Sequence, residues 1–255
     1  MPYLISVPIQ PHEARAPERA DLLRPWHAMF YTWLGAGDAA LGKRVHDEME
    51  PKPFTVGRAQ KNRAGELVLP ITLLDDALWE PLRAGIAQIN PFKVKAQVFT
   101  LAGAARATHR DYHALWQAAQ TTTALDLRFL SPTSFHSQGN HYPLPDPVLV
   151  FSSYLTRWNV FAPEELRINV ALLDVVSAHL VIAHYRLETE MVDFGGYNQV
   201  GFTGIVKYRI KKSELLGREM CKRLNALADF ANYCGTGHKT TQGMGQTARI
   251  VETAS

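Results

Sequence analysis

The sequence predicts an α+β protein made of two successive units, each with the element order β-α-β-β-α-β. Short segments with apolar residues at every second position alternate with longer segments whose apolar residues recur at i, i+3, i+4 and i+7. Turn-forming Gly, Pro and Asn separate these segments. The 255 residues are enough for two small domains, each with its own core. We therefore expect one domain at residues 1–104 and a second at 105–255.

In the first unit, the helix that begins near Trp26 has its apolar residues on one face. Gly35 and Gly37 end it, and Asp38 can cap a second short helix that runs to about residue 48. Residues 93–99 alternate with a period of two, which indicates a single half-buried strand. The other predicted elements are a strand at 4–10, a loop or helix start at 15–24, strands at 53–57 and 66–74, and a helix at 75–89.

The second unit has the same order, with two helices in its first crossover. Gly195, Gly196 and Asn198 supply a turn between two of its strands. Both units thus follow the ferredoxin-like (RRM-like) order, which builds antiparallel sheets. The predicted elements are a helix at 108–119, a strand at 121–130, a loop at 136–147, helices at 146–161 and 164–176, strands at 179–190 and 199–210, a basic helix at 213–233 and a last strand at 246–251.

A glycine-rich loop follows the basic helix, with four glycines in eleven residues between positions 235 and 245. Such glycines let a backbone approach a bulky partner and turn its N–H groups outward, and nearby Lys, His and Thr add donors. The loop therefore suits phosphates. A P-loop requires Gly where His238 stands and a helix where residues 246–251 read as a strand, which argues against a Walker-type NTPase.

Composition sets further limits on the class of protein. The chain is 46% hydrophobic and 20% charged, has no apolar run of 18 residues and begins with no signal peptide. Its two cysteines are too few for a disulfide framework or a zinc site. We expect a cytoplasmic protein with no cofactor, no bound metal and no membrane partner.

The net charge of +3 is unevenly distributed. Residues 201–250 hold nine basic and three acidic side chains, a net of +6, and the rest of the chain is at −3. A solvated basic helix face would explain this excess by itself. Beside a glycine-rich loop, the excess favours a polyanionic partner.

Two stretches resemble a known family. The sequence from Gly235 through Lys239-Thr240-Thr241-Gln242-Gly243-Met244-Gly245-Gln246, after the strand at 201–204, resembles the glycine-rich loop near the C-terminus of RAMP proteins. The stretch from His27 through Val45-His46 to Lys52-Pro53-Phe54 is similar to the N-terminal helix, catalytic histidine and following strand of Cas6. Cas6 is the endoribonuclease that processes CRISPR precursor RNA. Val45 departs from the usual Leu, and residues 105–145 match nothing in the family.

The resemblance implies metal-independent cleavage of RNA within CRISPR repeats. The RNA 2′-OH attacks the neighbouring phosphorus and leaves a 2′,3′-cyclic phosphate and a 5′-OH end. Histidine can act as base or acid near neutral pH, and a Lys or Tyr donor can stabilise the transition state. His46 matches the catalytic position and His27 competes with it for the role of general base. Lys52 is the charge stabiliser or an ordinary exposed lysine, and Tyr31 donates a proton or packs in the core.

The resemblance also implies an RNA-binding surface. Gly235, Gly237, Gly243 and Gly245 would shape the loop, while His238, Lys239 and Thr240 would meet phosphates. The alternative is a tight turn that only packs. Other histidines, including His136 and His141, are expected to be structural or exposed. Further backbone contacts would come from Lys207, Arg209, Lys211, Lys212, Lys222, Arg223 and Arg249.

The predicted partner is CRISPR repeat RNA, in its precursor form. A place in a CRISPR effector complex and a homodimer both stay open. Two other functions also stay open at this point. One is a non-catalytic RNA-binding RAMP subunit, although such a subunit would have no need of a base at His46 beside Lys52. The other is an α+β enzyme that binds a small phosphorylated ligand.

Overall fold

The computed structural model describes residues 1–12, 23–137 and 139–251. The predicted loop or helix start at 15–24 lies almost entirely outside the described residues. The chain divides into two compact units. Unit 1 comprises Met1–Arg110 with two short later segments, Asp193–Tyr197 and Thr241–Gly243, and unit 2 comprises Asp111–Val192, Asn198–Thr240 and Met244–Ser255.

The elements alternate along the chain as the hydrophobic pattern predicts. The strands are β1 (Tyr3–Pro11), β2 (Phe54–Val56), β3 (Gln60–Lys61), β4 (Leu67–Leu73), β5 (Phe92–Val94), β6 (Gln97–Leu101), β7 (Arg106–His109), β8 (Ala124–Thr133), β9 (Phe135–Ser137), β10 (Asn140–Tyr142), β11 (Leu180–Asp193), β12 (Asn198–Ile210) and β13 (Thr247–Ile250). The helices are α1 (Leu23–Gly37), α2 (Ala39–Asp47), α3 (Trp79–Gln88), α4 (Tyr112–Ala118), α5 (Pro147–Phe161), α6 (Leu172–His179) and α7 (Ser213–Cys234).

The sheet of unit 1 has the strand order β2-β4-β1-β6-β5, and its recorded pairs are antiparallel. Ile5, Val7 and Ile9 alternate along β1 and are buried, which explains why this segment forms a central strand. When β1, β2, β4 and β6 are taken as the four strands of a β-α-β-β-α-β unit, their spatial order is ferredoxin-like. The fold predicted for this part of the chain is confirmed.

The sheet of unit 2 has the order β11-β12-β8-β13. The two strands on either side of β8, which are β12 and β13, both run antiparallel to it. This is the same spatial order as in unit 1, with β8, β11, β12 and β13 as the four strands, α5 and α6 in the first crossover and α7 in the second. The second ferredoxin-like unit is also confirmed.

Helix α1 carries the residues that anchor the first core. Trp26, Phe30, Trp33 and Leu34 have at most 1% of their surface exposed. Helix α3 packs very closely on α1, because a Cβ at Gly85 would lie 1.7 Å from the carbonyl oxygen of Trp33. The face of α1 that bears His27 and Tyr31 is therefore supported by a rigid, apolar layer.

Helix starts agree with the sequence where a capping side chain is present. Asp38 accepts a hydrogen bond from the amide of Leu41 at the start of α2, and Asp146 accepts one from Leu149 at the start of α5. Helix α7 is interrupted at Gly217, whose φ of 74° is outside the helical region. The predicted uninterrupted helix at 213–233 is therefore wrong at this residue.

Four other predicted elements differ from the structure. Residues 93–99 form two strands, β5 and β6, because the chain turns at Lys95 with a φ of 53°. The segment predicted as a helix from 108 begins instead within β7, which pairs with β1. The segment 136–147 contains a β9–β10 hairpin with Gly139 at its turn. Residues 167–171 are not helical, because Asn159 holds both the amide and the carbonyl of Ile168.

No helix among the residues that the structure describes is long and apolar enough to cross a membrane.

Candidate active site and glycine-rich loop

Tyr31 lies between the two histidines that the sequence singles out. Its ring centroid is 5.1 Å from that of His27 and 4.9 Å from that of His46, and both rings meet it edge-on. His27 and Tyr31 are one turn apart on α1, and His46 lies in the last turn of α2. Phe54 of β2 packs against both His27 and Tyr31. The structure therefore brings His27, Tyr31 and His46 together in unit 1.

His27 is fixed by a backbone group far away in the sequence. Its Nδ1 lies 3.0 Å from the carbonyl oxygen of Thr241, which belongs to the short segment Thr241–Gly243 of unit 1. A carbonyl can only accept, so Nδ1 carries the proton and Nε2 of the neutral ring has a free lone pair. Burial lowers the pKa of His27, and the nearby His46, Lys52 and Arg24 act in the same direction, while the Thr241 carbonyl opposes them. His27 is thus a neutral imidazole that presents a basic Nε2.

His46 has a different environment. Its side chain is 64% exposed, and its Nδ1 donates to Oδ1 of Asp47 at 2.6 Å. This hydrogen bond lowers the pKa of the Asp47 carboxyl, which stays ionised. Nδ1 is occupied, so Nε2 is the nitrogen that a substrate could reach. The pairing joins residues i and i+1, which do not face each other within a regular helix, so sequence spacing gives no sign of it.

Lys52 caps the C-terminal end of helix α2. Its Nζ donates to the carbonyl oxygens of Val45 at 3.1 Å and His46 at 2.8 Å, and it pairs with Glu50 at 3.1 Å. A cation here satisfies two carbonyls that the helix leaves without partners and interacts well with the helix dipole. The side chain is only 19% exposed, so Lys52 is not an ordinary surface lysine. It holds the backbone of His46 and brings a positive charge to the same site.

Tyr31 packs against Phe54 and also keeps a hydroxyl proton, so donation and packing, the two alternatives for this residue, are compatible. Burial raises the pKa of its hydroxyl to about 12, and the nearby Glu50 and Asp47 act in the same direction. The hydroxyl is therefore protonated at neutral pH and can donate a hydrogen bond.

The glycine-rich loop does not turn its glycine amides outward, as the sequence suggested. All four glycine N–H groups donate to protein oxygens: Gly235 to Ala231, Gly237 to the Ser153 hydroxyl, Gly243 to Val56 and Gly245 to Pro132. The predicted cradle of free glycine amides is therefore wrong, because these donors are used to hold the loop itself.

Close packing explains why the four positions are glycine. Each has a positive φ, between 65° and 82°. An added Cβ would lie 2.4 Å from the Ser134 oxygen at Gly237, 2.3 Å from the Leu23 side chain at Gly243 and 2.1 Å from the Thr236 oxygen at Gly245. The packing interpretation of these glycines is the one that the structure supports.

The polar residues of the loop divide into buried and accessible groups. Thr240 is only 5% exposed, and its hydroxyl lies 3.5 Å from Arg157, so this side chain is held inside the loop. Arg157 also donates to the Gly237 carbonyl at 3.0 Å and braces the loop. His238 is exposed and Lys239 partly so, which leaves these two as the phosphate-facing candidates.

Three basic residues predicted to bind RNA form ion pairs within the protein. Arg249 has 5% of its side chain exposed and pairs with Asp229 at 2.8 Å, so it has no accessible face for a phosphate. Arg209 forms a close ion pair with the buried Asp126, and Lys207 lies 3.7 Å from the same carboxylate. Asp126 lies outside the 201–250 segment, so a charge count confined to that segment could not detect this neutralisation.

The comparisons with known proteins agree with the fold. A family profile described as CRISPR-associated endoribonuclease Cas6 matches residues 127–247. A Cas6 product complex of known structure superposes with a TM-score of 0.84 at 25% identity, covering 98% of this chain and 100% of that one. The chain therefore resembles Cas6 in the profile match over residues 127–247 and in its overall fold. This confirms the resemblance first inferred from the glycine-rich loop and the residues around His46.

Two further Cas6 relatives define the extent of the similarity. Thermus thermophilus Cas6 superposes with a TM-score of 0.74 at 25% identity over 98% of both chains. The CRISPR-associated endoribonuclease Cas6 of Streptococcus thermophilus is 28% identical over 131 residues, which are 51% of this chain. The chain spans 52% of that relative's length, so its match to this Cas6 sequence covers about half of each protein.

Proposed function

We propose that this chain is an endoribonuclease that cleaves CRISPR precursor RNA within its repeats. The carrying observation is the pair of histidines on either side of Tyr31, each with Nδ1 held by a protein oxygen and Nε2 left for a substrate. The match to the Cas6 family profile and the similarity to a Cas6 product complex support RNA as the substrate.

The two histidines suit different steps of the same reaction. Neutral His27 accepts the proton of the RNA 2′-OH at Nε2 as that oxygen attacks the adjacent phosphorus. The bond from phosphorus to the 5′-oxygen then breaks, and His46, when protonated, gives its Nε2 proton to that oxygen. The products are a 2′,3′-cyclic phosphate and a 5′-OH end, with no net change in protons. Lys52 and the Tyr31 hydroxyl favour the charge that develops on the phosphorane oxygens.

A cleavage assay with a repeat RNA in EDTA tests the chemistry. We expect cutting in the presence of chelator, and no cutting when the nucleotide upstream of the scissile phosphate is 2′-deoxy. Cleavage of the deoxy substrate would contradict attack by the 2′-OH. RNA that binds but stays intact under every condition would support a non-catalytic RNA-binding subunit instead.

Substitution of the two histidines tests the assignment of roles. We expect His27→Ala and His46→Ala each to lower the single-turnover rate by about 10²–10⁴-fold, as loss of a general base or acid does. His113→Ala removes an exposed histidine that pairs with Glu165 in unit 2 and is the matched control. Full activity of His27→Ala would remove this residue from the mechanism.

A further inference from the structure

Three histidines come together in unit 2. His136 of β9 and His141 of β10 are directly opposite each other in the hairpin, with ring centroids 5.6 Å apart. The ring of His238, from the glycine-rich loop, lies 6.2 Å from His136 and 6.4 Å from His141. All three residues are exposed, so a ligand can reach this histidine cluster from solvent.

The position of the cluster is fixed by its backbone. The amide of His238 donates to the carbonyl of Ser134 at 2.9 Å, immediately before β9. Gly237 packs so closely against Ser134 and the Phe135 ring that a Cβ there would clash. The loop and the hairpin are therefore joined, and the ring of His238 is held beside the other two.

Among the described residues, the charged groups that shift the pKa of His238 are basic. Burial lowers the pKa of His238, and Lys239, His136, His141 and Arg157 each act in the same direction, with no carboxylate among them. Asp146 lines a groove with Asn140 and Tyr142. Asn140 and Tyr142 alternate with His141 along β10, so their side chains lie on the opposite face of the hairpin from His141. The groove that contains Asp146 is therefore on that opposite face. The cluster thus combines three titratable rings and two permanent cations in one place.

We propose that the histidine cluster is a proton-gated binding site for an RNA phosphate. This inference rests on the proposed function, because it takes RNA as the ligand. Each protonated ring presents two N–H donors, and rings 5.6–6.4 Å apart can surround one anionic group with charge-assisted hydrogen bonds. Without an anion, the three rings repel one another's protons. A bound phosphate removes this penalty, so RNA binding takes up protons and strengthens as the pH falls.

The test measures binding separately from cleavage. A fluorescein-labelled repeat RNA with a 2′-deoxy nucleotide before the scissile phosphate is titrated with the full chain at constant ionic strength, from about pH 8 to about pH 6. Each proton taken up gives at most about a tenfold gain in affinity per pH unit. Because other histidines of the chain can also contribute to the pH dependence, the informative quantity is the change in this slope between variants.

Two sets of variants distinguish the proposal from a purely structural role. His136→Gln with His141→Gln replaces two imidazole rings with neutral amides and should flatten the pH dependence while leaving the affinity near pH 8 close to that of the unmodified chain. His141→Lys keeps a cation at all these pH values and should raise the affinity near pH 8. His113→Gln, outside the cluster, should leave the slope unchanged. Thermal melting verifies that each variant is folded.

Several results would overturn the proposal. An unchanged slope in the double Gln variant would do so, and so would a slope that disappears with EDTA and returns with zinc, because the cluster would then bind metal. If RNA binds with no dependence on these residues, only this inference fails. If RNA does not bind at any pH, the proposed function itself fails.

Discussion

His27 and His46 show how one residue type acquires two roles from its surroundings. His27 is partly buried against Phe54 and has its Nδ1 proton fixed by a carbonyl, whereas His46 is exposed and paired with a carboxylate. A carbonyl partner determines the tautomer of a neutral ring, and a carboxylate partner is compatible with a charged one. The division into base and acid that we propose follows from these partners.

The lowered pKa of His27 predicts how stability depends on pH. The unfolded chain binds the His27 proton more readily than the folded chain, so the contribution of His27 is present above about pH 6.5. It is lost as the pH falls through the lowered pKa. His27→Gln should therefore lose less stability on acidification than the unmodified chain, measured as the free energy of unfolding in urea across this range. An equal loss in both proteins would contradict the prediction, and His113→Gln is the control.

We expect Lys52 to contribute to cleavage as well as to the capping of helix α2. Lys52→Met removes the cation that bonds the carbonyls of Val45 and His46, and it also removes positive charge from the site. We expect the cleavage rate to fall by about 10²–10³-fold, the range seen when one transition-state donor is removed. Lys43→Met, an exposed lysine on the same helix, should cleave normally. A normal rate for Lys52→Met would restrict Lys52 to helix capping.

At the scale of the elements, the glycine-rich loop is a packed structure. Its glycine amides bond inward, and Tyr154, Thr236 and Thr247 form a buried hydroxyl network beneath it. The loop can thus hold His27 through Thr241 and position His238 without supplying free glycine amides of its own. Packing and function are compatible here, because a rigid loop places side chains more accurately than a mobile one.

Gly245 tests this interpretation of the loop. Gly245→Ala would place a Cβ 2.1 Å from the Thr236 oxygen at a φ of 70°. Gly139→Ala has a similar φ of 78° but open space, so it isolates the cost of the backbone conformation. We expect about 1 kcal/mol of destabilisation for Gly139→Ala and clearly more for Gly245→Ala, measured by thermal or urea unfolding. Equal effects would show that contacts do not determine the choice of glycine at 245.

Across the whole molecule, several of the cations in residues 201–250 are held by contacts within the protein. Arg249 pairs with Asp229 within that segment, Arg223 with Glu219, and Arg209 with Asp126 from β8. The ammonium of Lys222 lies over the ring of Trp116, at 5.2 Å from its centroid. Charge steering of RNA therefore depends on fewer cations than the composition indicates.

Substitution of Arg249 should mainly lower stability, whereas substitution of Lys239 should mainly weaken RNA binding. Arg249→Met removes the ion pair with Asp229 and should cost about 3–5 kcal/mol of unfolding free energy at most, since Asp229 is partly exposed. It should not change the salt dependence of RNA binding. Lys239→Met should cost less unfolding free energy than Arg249→Met, because the ion-paired Arg249 side chain is only 5% exposed, and should reduce the slope of log affinity against log salt by about 0.7 for one phosphate lost. The opposite pattern would return Arg249 to the RNA-binding surface.

Local patterns predicted most of the elements. The apolar spacing of α1 and the capping aspartates Asp38 and Asp146 define helices because the side chains that decide them are neighbours in sequence. The turn at Lys95 was missed, because its positive φ falls at a residue type that rarely adopts one. The β9–β10 hairpin was missed because its short strands are exposed and have no apolar alternation.

The sequence by itself predicted the resemblance to Cas6, the ferredoxin-like order of both units and the candidate residues His27, Tyr31, His46 and Lys52. Only the tertiary structure decided what surrounds these residues. The carbonyl that orients His27 is 214 residues away, and the histidine cluster joins a hairpin to a loop about a hundred residues later. Periodicity and motifs report local geometry and composition. Hydrogen bonds, burial and ion pairs depend on which distant segments meet, and those contacts set the tautomer, the pKa and the accessibility on which the proposed chemistry depends.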